Sequence, residues 1–171
     1  MSTVYYDHSL LFPMICRKCS VSDSFATQSL PVKTMTQKAL DISSLERALF
    51  RLEEGWERYQ RDISDAQIRD GLIQRFEFTY EISHKMLKRF LERLSPNPAI
   101  YDSMSFADLI RSGNEHALLL GTWSDWKTYR DMCARTSHSY NEDIAREVVD
   151  GIVPFITEAR YLLTQLKTRQ Q

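Results

Sequence analysis

The segment IRDGLIQRFEFTYEISHKMLKRFLERL, Ile68 to Leu94, is the longest stretch of the chain with an uninterrupted helical pattern of apolar residues. Apolar side chains recur along it every three or four residues, which places them on one face of an α-helix. This first row is Ile68, Leu72, Phe76, Tyr80, Leu87, Phe90, Leu91 and Leu94, and a second row on another face is Phe78, Ile82 and Met86. Two apolar faces predict a central helix with two packing partners, either neighbouring helices or, for one face, another subunit.

The regions on both sides of this segment predict further helices, each with a recognisable start. Capping residues are expected at Ser43 or Ser44, at Ser64 with Gln67, at Ser105 with Asp108, at Thr122 with Asp125, and at Asn141 or Glu142. The sequence SPNP, Ser95 to Pro98, should end the central helix, because proline lacks a backbone donor. Pro154 is expected to kink the last helix.

These elements predict an all-α fold, an up-and-down antiparallel helical bundle of four to five helices. Residues 1–38 lack helical periodicity and contain Pro13, Pro31 and a Ser/Thr-rich run, so we expect a loosely ordered N-terminal tail. The bundle domain is expected at 39–171. Met35 lies at the edge of the periodic region, which leaves open that it is the biological first residue and that the tail comes from an upstream start.

Composition excludes some classes of function. Twenty-two basic and 23 acidic residues give a net charge of −1, so the totals show no broad footprint for nucleic acid. No apolar run is long enough to span a bilayer. The three cysteines are an odd number, which fits reduced thiols in a cytoplasmic protein. Cys16 and Cys19 form a CxxC, but no second pair follows at zinc-ligand spacing.

The polar segment TSHSYNE, Thr136 to Glu142, precedes the last helix and is the first candidate site. His138 has the chemistry of a general base, a nucleic-acid contact or a phosphate ligand, and it can equally serve only to cap the helix junction. Tyr140 can bind a ligand or pack half-buried at the junction. Arg130 and Arg135 can hold a phosphate or lie on a solvated helix face.

Glu77, Glu81 and His84 form a second polar row, at spacings of four and three on one face of the central helix. Such a row can bind a metal ion inside a bundle, or it can line an interface. No second Glu-x-x-His completes a dinuclear site, which favours the interface. The sequence also lacks P-loop, GxGxxG, HExxH and GxSxG motifs, and it lacks the Gly-Ser and paired aspartates of a nucleotidyltransferase.

Four segments together resemble one family: IQRFEFTYEISHKMLKRFLE (Ile73 to Glu92), SFADLIRSG, the W-x-x-W pair Trp123 and Trp126, and TSHSYNE. Over residues 38 to 168 the chain resembles the nucleotidyltransferase substrate-binding proteins, the helical partners of minimal nucleotidyltransferases within the HEPN superfamily. The resemblance implies a non-catalytic, substrate-binding homodimer that pairs with a separately encoded nucleotidyltransferase, as a two-component enzyme or a toxin–antitoxin module.

The resemblance also implies where this chain binds its substrate or partner. Its signatures match Phe76, Glu77, Tyr80 and Lys85 on the central helix, and Thr136, Ser137, His138 and Tyr140 at the junction. No cofactor or metal is expected in this chain, since nucleotide and Mg²⁺ belong to the partner nucleotidyltransferase. Nucleotide or RNA is a further candidate ligand, and no membrane association is expected.

An alternative within the same superfamily is a metal-independent endoribonuclease toxin that uses His138. HEPN ribonucleases typically carry an Arg with four to six residues before the His. Here Arg135 is too close to His138 and Arg130 is one residue too far, so a principal contributor to transition-state charge stabilisation is displaced. Substrate or partner binding is therefore the first hypothesis, and RNA cleavage by His138 with Arg130 or Arg135 is the second. A third is a structural interaction protein that has kept the fold and lost both tasks.

Overall fold

The computed structural model describes residues 39–136 and 142–170, in which the chain forms five α-helices and one 3-10 turn. The helices are α1 (Ser43–Arg61), α2 (Ala66–Leu94), α3 (Phe106–Glu115), α4 (Trp123–Thr136) and α5 (Glu142–Thr168), and the 3-10 turn is Pro98–Tyr101. The described residues contain no strand, so the predicted all-α class is confirmed. The predicted tail, 1–38, lies outside the described residues, and the boundary after residue 38 stays a prediction.

Helices α1 and α2 form an antiparallel pair joined by a short turn. The Thr79 hydroxyl of α2 donates to the Ala48 carbonyl of α1 over 3.2 Å, and Arg75 donates to the Arg51 carbonyl over 2.7 Å. The later residue of α2 thus meets the earlier residue of α1, as an up-and-down bundle requires.

Helix α5 also packs antiparallel to α1. Arg160 pairs with Glu53 at 2.6 Å, and Lys167 pairs with Glu46 two turns further along. Each step towards the end of α5 therefore moves one step towards the start of α1. The first and last helices of the described bundle are direct neighbours.

The first apolar row of α2 supplies much of the core, as predicted. Its buried members are Leu72, Phe76, Tyr80, Leu87, Phe90 and Leu91, whereas Ile68 is half-buried and Leu94 is exposed. The second row is graded along the helix: Met86 is buried, Ile82 is partly buried and Phe78 is exposed. One apolar face of α2 is thus only partly covered by its own chain.

Two of the predicted helix caps are wrong. The Asp65 carboxylate, rather than Ser64, caps α2 by accepting from the backbone N–H groups of Gln67 and Ile68 at 2.8 and 3.1 Å. Ser64 is instead held by Asp62, to which its hydroxyl and backbone N–H both donate. Asp and Ser are both good caps, so sequence spacing alone did not separate the adjacent residues.

At α1 neither of the predicted serines, Ser43 and Ser44, caps the helix. Ser43 is the first residue of the helix, and its N–H donates to the Asp41 side chain over 3.0 Å. The other two testable starts are confirmed. Ser105 accepts from the Asp108 N–H at 3.2 Å, and Asp125 accepts from the Thr122 N–H at 2.7 Å.

Helices α2 and α5 are the long elements, with 29 and 27 residues. Helix α5 continues through Pro154 without interruption. Within residues 39–136 and 142–170 no helix combines the length and apolar character needed to cross a bilayer.

Candidate binding site between α2, α3 and α4

Tyr80 lies at the centre of an aromatic cluster that joins four helices. Only 8% of the residue is exposed. Its ring centroid lies 5.7 to 6.5 Å from those of His84, Trp126, Phe155, Phe76 and Phe106. Burial raises the pKa of the Tyr80 phenol well above its usual range, so the hydroxyl stays protonated at neutral pH.

His84 follows Tyr80 by one helical turn and borders the same cluster. Its imidazole meets the edge of the Phe106 ring, with centroids 6.0 Å apart. Burial lowers the pKa of His84, and the nearby positive charges of Lys85 and Arg130 lower it further, although the Tyr80 carbonyl and Glu81 act in the opposite direction. The neutral imidazole is therefore the favoured form at pH 7.

Arg130 and Cys133 bring α4 to this cluster. The Arg130 guanidinium lies 5.2 Å from the centroid of the Phe106 ring, a cation–π arrangement. Burial, with the negative charges of Glu77 and Glu81, raises the pKa of the Cys133 thiol to about 12. Because the thiolate is the reactive form, Cys133 is not poised as a nucleophile.

Lys85 and Glu81 form the exposed charged border of the site. The Lys85 ammonium donates to the Glu81 carboxylate over 2.5 Å, and this hydrogen bond lowers the pKa of Glu81. Among the described residues no group of three or more Asp, Glu, His or Cys side chains could hold a metal ion. Whether Glu77, Glu81 and His84 line an interface stays a prediction.

Phe76 belongs to the same aromatic cluster as Tyr80, with ring centroids 6.4 Å apart. It is fully buried and packs edge-on against Phe155, with ring centroids 5.0 Å apart. Glu77 is half-buried and Lys85 is exposed, so both are accessible where Phe76 is not. Tyr80 is buried in the same core as Phe76, whereas Glu77 and Lys85 remain accessible along α2.

The predicted junction residues are only partly described. Thr136 is the last residue of α4, whereas Ser137, His138 and Tyr140 lie outside the described residues. Of the two candidate arginines, Arg135 pairs with Glu147 of α5 at 2.5 Å. Arg130 is the one beside the aromatic cluster.

Sequence reasoning missed Glu158, the most buried carboxylate among the described residues, with 3% exposed. It accepts hydrogen bonds from the N–H groups of Leu120 and Gly121 and from the indole of Trp126, at 3.1, 2.7 and 3.1 Å. Burial raises the pKa of Glu158, and the three donors limit that rise. The available signal was an acidic residue next to Ala159 within the apolar row of α5.

Glu158 connects the segment before α4 to the aromatic cluster. Its hydrogen bonds fix the segment that enters α4 and hold Trp126 in contact with Tyr80. Arg130 follows Trp126 by about one helical turn, so the same contacts set its position. Tyr80 and Cys133 stay un-ionised in this environment, and the neutral His84 can donate or accept a hydrogen bond.

The fold defines an all-helical bundle domain, and comparison with known proteins gives its family. Residues 40–168 match the family described as nucleotidyltransferase substrate binding protein like, and the chain belongs to that family. The predicted membership is thereby confirmed.

Two matches from Haemophilus influenzae illustrate the relationship. The chain is 36% identical over 145 residues to a protein named probable ribonuclease HepT, covering 80% of this chain and 98% of the relative. It also resembles a solved structure described as revealing the fold of a substrate binding domain of a nucleotidyltransferase. That match has a TM-score of 0.69 and 32% identity, and it covers 74% of this chain and 99% of the other.

Proposed function

We propose that the chain is the non-catalytic, substrate-binding subunit of a two-component system, in which a separately encoded minimal nucleotidyltransferase supplies catalysis. The observation that supports this proposal is the cluster in which the Arg130 guanidinium and the half-buried His84 both contact Phe106, with the exposed Glu81–Lys85 pair next to His84 on α2. It offers charges and an aromatic edge for binding, and the buried Tyr80 and Cys133 stay protonated.

Further parts of the proposal follow from family membership. The subunit is a homodimer, it works in the cytoplasm, and the pair acts as a toxin–antitoxin module. Nucleotide and Mg²⁺ bind to the nucleotidyltransferase. The junction residues Thr136, Ser137, His138 and Tyr140 match the family's signature, and we assign them to the same binding surface.

The gene neighbourhood gives the first test. An adjacent reading frame with a Gly-Ser motif and paired aspartates would supply the partner, and its absence would count against the pairing. Growth measurements with each gene expressed alone and with both together test the toxin–antitoxin part. We expect one gene to be toxic when expressed alone and the other gene to relieve that toxicity.

Binding to the partner is then tested with matched charge reversals. Lys85→Glu is expected to weaken the complex about tenfold, since a desolvated charged contact at an interface contributes on this scale. Lys127→Glu is the control, because Lys127 pairs with Asp131 four residues away at 2.7 Å and its side chain is as exposed as that of Lys85. Equal partner affinity of the two variants, measured by calorimetry, would show that Lys85 is not part of the binding surface.

A second candidate function is metal-independent RNA cleavage, because the 36% identical relative is named a probable ribonuclease. In this reading His138 is the acid–base residue and Arg130 or Arg135 supplies positive charge. Arg130 is the better placed of the two, since Arg135 is engaged by Glu147. The test is RNA cleavage under chelating conditions. Cleavage by the native chain that is lost in His138→Ala would establish this function and contradict the purely binding role.

A further inference from the structure

Arg69, in the first turn of α2, is a buried cation, with only 9% of the residue exposed. Its Nη1 donates to the Glu142 carboxylate over 3.1 Å, and Glu142 is the first residue of α5. The contact therefore joins the starts of two helices across 73 positions of sequence. Glu142 is also the last residue of TSHSYNE, so the contact ties the predicted junction segment to the central helix.

Burial distinguishes this contact from a second ion pair that reaches the first turns of α5. Arg135 of α4 pairs with Glu147 at 2.5 Å, but both of those side chains are exposed. Exposed pairs are screened by salt and hold their geometry weakly. Only 11% of the Arg69 side chain is exposed, so water does not readily take the place of Glu142 as its acceptor.

Stability alone does not account for a buried arginine at this position. The Arg69 Nε is buried and has no hydrogen-bond partner within the described residues, since the Asp70 carboxylate lies 3.9 Å away. Taking a guanidinium out of water is costly, and an apolar side chain of similar volume would leave the fold about as stable. An apolar side chain could not, however, hold the Glu142 carboxylate in one direction. The pair is therefore better suited to setting geometry than to adding stability.

We infer that Arg69 is a positioning residue, which acts through Glu142 to fix the start of α5 and thereby one end of the junction that carries His138. The inference rests on the proposed function, in which the junction residues belong to the binding surface. Arg69 is too buried to be a main contact of a ligand, so its effect on binding passes through Glu142.

Arg146 provides a matched control, because its guanidinium donates to the same oxygen of Glu142, over 3.0 Å. Arg146 follows Glu142 by four residues in α5 and its side chain is exposed, so this contact stays within one helix. Arg69→Gln and Arg146→Gln each remove one positive charge and one donor from Glu142. Only Arg69→Gln also removes the connection to α2.

Imidazole NMR signals of the full chain test the inference without a partner. The sequence has four histidines, and the signal of His138 is the one lost in His138→Ala. Arg69→Gln is expected to shift that signal, because the start of α5 loses its anchor, whereas Arg146→Gln should leave it near its native position. Arg69→Lys keeps a positive charge opposite Glu142 and should return the signal towards the native position. No shift in Arg69→Gln, or an equal shift in Arg146→Gln, overturns the inference. If Arg69→Gln does not fold, Glu142→Gln removes the same contact from an exposed position.

Affinity for the partner nucleotidyltransferase, measured by calorimetry, separates this inference from the proposed function. Arg69→Gln and Glu142→Gln are each expected to weaken the complex about tenfold. The double variant should bind no more weakly than either single variant, because the two residues act as one pair, and additive losses would contradict this. Absence of any complex with the native chain overturns the proposed function, whereas native affinity in both single variants overturns only the role of Arg69.

Discussion

The indole N–H of Trp126 donates to the Glu158 carboxylate over 3.1 Å, inside the contact between α4 and α5. The same carboxylate accepts the backbone N–H groups of Leu120 and Gly121. A carboxylate is costly to bury unless donors surround it, and three donors do so here. Glu158 therefore links the entry into α4, the aromatic cluster and the last helix.

Replacing Glu158 with Ala is expected to lower the free energy of unfolding by about 3 kcal/mol, because three donors lose their acceptor. Glu158→Gln retains one acceptor oxygen and should lose less. Urea unfolding followed by circular dichroism measures both. Equal stability of Glu158→Ala and the native protein would show that water replaces the carboxylate without cost.

His84 predicts a pH dependence of stability. Its pKa is lowered in the folded state, so the unfolded chain binds a proton more readily. The resulting stability is fully present above about pH 6.5 and is lost as the pH falls through the lower folded-state pKa. His84→Phe should therefore lose less stability than the native protein between pH 7.5 and pH 5. Parallel losses in the two proteins would assign the effect to other groups.

The cap of α2 can be located by substitution. Asp65→Ala is expected to lower the free energy of unfolding by about 1 kcal/mol, since two N–H groups lose the acceptor that caps them. Ser64→Ala should have a smaller effect, because its hydroxyl donates to Asp62 at an exposed position. Denaturant midpoints of the two variants compare them directly, and the reverse order would restore Ser64 as the cap.

Phe76 should act through stability and not through binding. Phe76→Ala is expected to cost about 3–5 kcal/mol, because the ring is fully buried against Phe155. Phe76→Leu keeps most of the volume and should cost less. Partner affinity of the folded Phe76→Leu variant is expected to match the native value, and a large loss of affinity there would place Phe76 in the binding surface.

The fold was largely predictable from sequence because helical periodicity reports burial directly. The spacing of Leu72, Phe76 and Tyr80 predicted the buried face of α2, and SPNP predicted its end. The cap at Ser64 was not resolved, because the adjacent Asp65 can accept from the same N–H groups, and at α1 no side chain caps the helix.

The candidate site was predictable only in part. Spacing placed Glu77, Glu81 and His84 on one face, but it carries no information on which helix lies opposite. The contact of Arg130 with Phe106 joins residues 24 positions apart in sequence, and it depends on how α3 and α4 cross. In the sequence Glu158 looks like an ordinary helix residue. Only the structure shows that three donors from another segment bind its carboxylate.

The pairing of α1 with α5 bears on how the chain can be re-engineered. Glu46 meets Lys167 and Glu53 meets Arg160, so the start of the first helix lies beside the end of the last. A short linker could join those ends, and the exposed turn at Asp62–Asp65 could be opened in its place. The helices can therefore keep their positions when their order along the chain is changed. A circularly permuted chain that begins at α2 would present the same candidate binding site.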